Sequence, residues 1–104
     1  MNAKEKLLEL TSGEEIEAIC IGEKGYNYED ETDKPLFFPK SNIEEALKLL
    51  DFEFDSGYGG EEGYRLYAWT KTKVIIKSVY DGSEAYKVVP RNPETIMPVA
   101  YGGG

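Results

Sequence analysis

The chain has 104 residues, enough for one domain with one core and no covalent staples; it carries a net charge of −8, no histidine and one cysteine. These counts exclude Ser-His-Asp and Cys-His catalysis, an intrachain disulfide and an ordinary structural zinc site. The acidity is uneven: residues 1–62 hold 17 Asp and Glu against six Lys and Arg, whereas residues 63–104 hold three against six, so most of the chain repels a phosphate backbone and no direct nucleic-acid partner is expected.

Residues 3–10 read as a short helix. Leu7, Leu8 and Leu10 form its apolar side, Asn2 is its N-cap, and Thr11-Ser12-Gly13 stops it. Residues 15–22 follow as a strand with β-branched residues on both faces: Ile19 and Ile21 share one, Ile16, Ala18 and Cys20 the other. Apolar residues on both faces place such a strand near the middle of a sheet. Cys20 in this run reads as a small buried hydrophobe rather than a nucleophile.

Residues 23–40 are expected to be a long loop, punctuated by Gly25, Asn27, Pro35 and Pro39, with Leu36, Phe37 and Phe38 anchoring its end. Ser41 and Glu44 have the spacing of a capping box for a second helix. Ile43, Ala46, Leu47 and Leu50 then line one side of it, and Asp51 ends it. Phe52-Glu53-Phe54 alternates like a short strand. Residues 55–60 are rich in turn formers.

Three further strands are expected over 63–70, 73–80 and 84–89. In the first, Tyr64, Leu66 and Ala68 alternate with Arg65, Tyr67 and Trp69. The first set is suited to the interior and leaves the second outward. Asp81-Gly82 has the signature of a two-residue hairpin turn. Pro90 and Pro93 stop further pairing, so residues 90–104 read as an irregular tail. The fold class is thus α+β: a single domain over 1–104, with two short helices on a mostly antiparallel sheet of about five strands and a C-terminal β-meander. The N-terminus lacks signal-peptide character, and no apolar run reaches membrane-spanning length. A cytoplasmic protein, with no membrane partner, is expected.

Little here points to catalysis. Asp51, Glu53 and Asp55 share a strand face and could hold a hard cation, but they also make an ordinary solvated face. Glu29-Asp30-Glu31-x-Asp33 lacks EF-hand spacing. No cofactor or metal is expected. The glycine-rich segment from Ser56 to Gly60 can present backbone N–H groups to an anion without being a P-loop. The aromatic residues of the meander, interleaved with Arg65, Lys71 and Lys77, suit stacking on a planar ring and pairing with phosphate. The candidate ligand-binding set is Tyr58, Gly59, Arg65, Tyr67, Trp69, Lys71, Tyr80, Arg91 and Asn92.

Asp55-Ser56-Gly57-Tyr58-Gly59, Ala68-Trp69-Thr70-Lys71, Val79-Tyr80-Asp81-Gly82-Ser83 and Val89-Pro90-Arg91-Asn92-Pro93 resemble stretches of small uncharacterised bacteriophage accessory proteins. The resemblance covers the C-terminal half and carries no site residues across. It implies an accessory protein that counters host defence by binding rather than catalysis, inside the bacterial host. Two mechanisms follow. Residues 58–92 could sequester a nucleotide-derived immune signal, with homo-oligomer formation enclosing it. Alternatively, acidic residues within 14–62 could cover a basic nucleic-acid-binding surface of a host defence protein, as an anti-CRISPR-like inhibitor or DNA mimic would.

Overall fold

A computed structural model describes residues 1–24, 35–54, 63–80 and 83–98, without the side chains of Glu23, Lys24 and Tyr80. The predicted Asp81-Gly82 turn, the segment from Ser56 to Gly60 and the acidic run Glu29–Asp33 lie outside the described residues. The chain folds as an α+β domain. Helix α1 is Ala3–Leu10, strand β1 Ala18–Lys24, strand β2 Leu36–Pro39, helix α2 Ile43–Leu50, and strands β3, β4 and β5 are Tyr64–Trp69, Lys73–Tyr80 and Ser83–Pro90. They form one antiparallel sheet in the order β2-β1-β3-β4-β5. Strands β3, β4 and β5 are the expected meander, and β1 lies inside the sheet, between β2 and β3.

Three local expectations are corrected. Residues 36–39, read as loop, form edge strand β2, with Phe37 opposite Cys20 and Phe38 opposite Ile19. Four residues bounded by Pro35 and Pro39 show too little period to be legible alone; pairing with β1 makes them a strand. Leu36 and Phe37 are exposed rather than anchored. Residues 52–54, read as a strand, make only an isolated bridge between Glu53 and Asn2. The Phe54 amide donates to the Met1 carbonyl at 3.0 Å and the N-terminal ammonium to the Phe54 carbonyl at 2.7 Å, so this segment staples the chain's beginning. The Ser41 capping box does not form. A 3₁₀ turn at Lys40–Asn42 precedes α2, and the Ser41 hydroxyl donates to Asn42 Oδ1 at 3.3 Å instead. At α1 the reading holds, since Asn2 Oδ1 accepts the Glu5 amide at 3.1 Å.

Both helices cover one face of the sheet. Helix α2 lies on β1 and β2, and α1 on β5 and α2. Leu7, Ala46, Leu47 and Leu50 from the helices meet Ile19, Ile21, Leu66, Ala68, Ile75 and Tyr86 from the sheet. Directly opposed residues in antiparallel strands share a face. The pairings Ile19↔Ala68 and Ala68↔Ile75 therefore define the inner face, and Cys20↔Tyr67 and Tyr67↔Ile76 the outer one. Leu66 and Ala68 are buried while Arg65 and Tyr67 are exposed, as the alternation predicts.

The inner face also buries charge. Lys77 Nζ lies 2.5 Å from Glu84 Oε1, with side chains only 3% and 0% exposed. Together they grip one residue: Glu84 Oε1 accepts the Gly63 amide at 2.9 Å, and Lys77 donates to the Gly63 carbonyl at 2.8 Å. Two groups that would be costly to bury singly are thereby paired and hydrogen-bonded.

Candidate functional site

One end of the sheet, where β3 and β4 part, carries the best candidate. Strand β3 pairs with β4 from Trp69↔Val74 to Tyr67↔Ile76, while β4 continues along β5 as far as Tyr80↔Ser83. On its other side β3 meets an irregularity: the β1–β3 register shifts between Ile21 and Lys24, one residue being added to β1 around Gly22. A bulge of this kind re-aims side chains and is common beside functional sites. At this end of the sheet lies a cavity of about 400 Å³, lined by Cys20, Gly22, Pro35, Arg65, Leu66, Tyr67, Lys77 and Val79. That volume falls in the range of small-molecule sites.

Two of the expected ligand residues, Arg65 and Tyr67, come to this cavity. Arg65 is exposed and supplies a guanidinium; Tyr67 is 55% exposed and supplies a ring. The Lys77 ammonium is committed to Glu84 and Gly63, so this lysine lends the cavity its side chain rather than an accessible charge. Trp69 is half-buried on the same face and packs its ring on Tyr67, with centroids 6.1 Å apart and planes tilted by 57°.

The remaining expected residues separate from the cavity. Lys71 is exposed in the β3–β4 turn, at the other end of β3 from Arg65. Arg91 also lies at that turn. Its Nη1 donates to Glu17 Oε2 at 2.5 Å and to the Thr70 carbonyl at 2.8 Å, and its amide donates to the Thr72 carbonyl at 3.0 Å. Arg91 is thus a clamp between the end of β5 and the β3–β4 turn, and it is not brought to the cavity. Asn92 follows it, exposed. Tyr58 and Gly59, and the side chain of Tyr80, lie outside what the structure describes.

The same turn holds a carboxylate hub. Glu14 accepts from Thr70 Oγ1 at 2.8 Å, Thr72 N at 3.1 Å and Thr72 Oγ1 at 2.6 Å, and it pairs with Lys73 Nζ at 2.8 Å. The Lys73 ammonium first, then the Thr72 and Thr70 hydroxyls, hold its pKa down at about 2. This hub and the Glu17–Arg91 pair turn acids of residues 14–17 into structural ties. Asp51 and Glu53 are likewise engaged, with Lys4 at 3.8 Å and the N-terminal ammonium at 3.6 Å. Among the described residues no three His, Cys, Asp or Glu side chains gather as a metal site, and Asp55 lies outside them.

The predicted ligand set missed Cys20, Gly22, Pro35, Leu66, Lys77 and Val79 of the cavity's lining. A signal existed for the first two. Cys20 and Gly22 are the small residues of β1 on the face that neither helix covers. Among the described residues no helix is long and apolar enough to cross a membrane. Comparison with protein-family models, curated proteins and solved structures finds no match to the chain.

Proposed function

We propose that this protein is a non-enzymatic binding protein that sequesters a small, planar, anionic ligand of nucleotide type. The observation that carries the reading is the cavity of about 400 Å³ in which Arg65 and Tyr67 meet beside a β-bulge. A guanidinium pairs with phosphate in a fixed fork, and a half-exposed phenol ring offers a stacking face. With the resemblance of its C-terminal half to bacteriophage accessory proteins, the ligand becomes a nucleotide-derived signal of bacterial defence, and binding removes it from the host's effector.

The competing inhibitor reading draws on the acids within residues 14–62, of which Glu44 and Glu45 of α2 are exposed. It is the weaker one, because Glu14, Glu15 and Glu17 are tied to Lys73, Lys40 and Arg91.

Thermal unfolding against a panel of mononucleotides and dinucleotides tests the proposal. A ligand at a hundred times its dissociation constant stabilises by about 2.7 kcal/mol, which raises Tm by roughly 10–20 °C in a domain of this size. Arg65→Ala and Tyr67→Ala should each abolish that rise while leaving the unliganded Tm within a few degrees (about 2–4 °C). The ligand should be recovered chemically unchanged by mass spectrometry. A panel in which no compound moves Tm defeats the proposal, and recovery of a converted product replaces it with an enzyme.

A further inference from the structure

The β3–β4 ladder stops short. Its register runs from Trp69↔Val74 to Tyr67↔Ile76, although both strands continue. Extended, the same register would set Leu66 opposite Lys77, Arg65 opposite Ser78 and Tyr64 opposite Val79. Among the described residues those pairs are not made. Buried backbone groups need partners, and at the start of β3 side chains supply them. Glu84 Oε1 accepts the Gly63 amide at 2.9 Å, Lys77 Nζ donates to the Gly63 carbonyl at 2.8 Å, and the Tyr86 hydroxyl donates to the Tyr64 carbonyl at 3.1 Å. All three project inward from the continuous β4–β5 ladder, in which Lys77 opposes Tyr86 and Val79 opposes Glu84.

A backbone ladder holds neighbouring strands about 4.8 Å apart, whereas side chains that reach across in its place let them stand farther apart. The cavity of about 400 Å³ lies at this parting, lined by Arg65, Leu66 and Tyr67 of β3 and by Lys77 and Val79 of β4. Stability alone is a poor reason for such a grip. Apolar groups of similar volume often serve a core as well as a buried ion pair does, and the best-attested use of buried polar groups is to fix one register against another. The close fit at Gly63, where a β-carbon would come 2.9 Å from Glu84 Oε1, brings that backbone within reach of both charges.

We infer that Lys77, Glu84 and Tyr86 are positioning residues: they capture the start of β3 with side-chain bonds, keep it from zipping onto β4, and so hold the cavity open. Their role depends on the nucleotide-sequestration reading only for what enters the cavity.

The Thr70 amide donates to the Lys73 carbonyl at 2.9 Å, which makes these two a hydrogen-bonded pair. By alternation Arg65 and Ser78 would form a non-hydrogen-bonded pair on zipping, with Cα atoms about 4.5 Å apart and a strong nuclear Overhauser effect between their α-protons. The double variant Lys77→Met, Glu84→Met removes both charges and both bonds to Gly63 and keeps apolar volume there. Wild type should lack the Arg65–Ser78 effect. The double variant, folded by circular dichroism, should show it, alkylate Cys20 more slowly and lose the nucleotide-dependent rise in Tm. The effect in wild type, or its absence from the folded double variant, overturns the inference. Zipping with an unchanged rate at Cys20 overturns the link to the cavity. If the double variant does not fold, Tyr86→Phe decides: it frees the Tyr64 carbonyl for the Val79 amide, whose hydrogen exchange should slow by roughly fivefold, as one added hydrogen bond implies, and an unchanged rate overturns the inference. A wild type that no nucleotide stabilises defeats the nucleotide reading and leaves the Overhauser and alkylation results to judge the positioning role.

Discussion

Glutamine in place of Glu84 keeps the shape of that side chain and an oxygen to accept the Gly63 amide, yet removes the charge beside Lys77. Both partners are within 3% of full burial and 2.5 Å apart. Removing one member of such a pair costs about 3–5 kcal/mol, because the other charge keeps its desolvation penalty and loses its compensation. For a domain of this size about 4–8 °C of Tm accompanies each kcal/mol, so Glu84→Gln should lower Tm by roughly 12–40 °C. Lys77→Met should cost a similar amount, with an added loss at the Gly63 carbonyl that Lys77 serves. The double variant Lys77→Met, Glu84→Gln buries no net charge and should recover much of the loss, since replacing a whole buried pair by neutral groups is often close to neutral. Urea and thermal unfolding, followed together by Trp69 fluorescence and circular dichroism, provide the double-mutant cycle. Single variants that each lose less than about 1 kcal/mol, or two losses that simply add in the double variant, would refute the claim that these charges depend on one another.

The other expectations concern the surroundings of that pair and the opposite end of the sheet. A β-carbon on Gly63 would sit 2.7 Å from Phe54 Cζ and 2.9 Å from Glu84 Oε1, so Gly63→Ala should destabilise by about 1–3 kcal/mol through overpacking, read from the urea midpoint. At the β3–β4 turn, the Glu14 carboxylate has its pKa lowered from 4.5 to about 2. A depressed folded-state pKa means stability that is fully present above the unfolded value and is lost as pH falls through the folded one. Wild type should therefore exceed Glu14→Gln in Tm at neutral pH, and the gap should narrow between pH 5 and about pH 2; a gap that stays constant over that range contradicts the assignment.

Local chemistry made much of the fold legible. Alternation in 63–70 assigned Leu66 and Ala68 inward and Arg65 and Tyr67 outward before any coordinates. Asn2 capped α1 as its side chain predicts, since its acceptor reaches an amide only three residues away. What failed was structure stabilised from elsewhere. Strand β2 exists because β1 pairs with it, and Ser41 loses its capping role because a 3₁₀ turn displaces the start of α2 by one residue beyond Asn42. The candidate site was half legible for the same reason. Arg65 and Tyr67 could be read as an outward pair, but Arg91 also looked available, and only its partner Glu17, 74 residues away, withdraws it into the framework.

By itself, then, the sequence determined the periodicities, the two helices, the meander and the division of charge between its halves. Each of these depends on neighbours within a few residues. The tertiary structure decided which charges are tied to one another. It ties Glu14 to Lys73, Glu17 to Arg91 and Glu84 to Lys77, so these six charges act as structural pairs. Net charge is a sum over the whole chain, whereas a ligand meets only the charges within about a Debye length of its binding face, and which charges those are is a property of the fold.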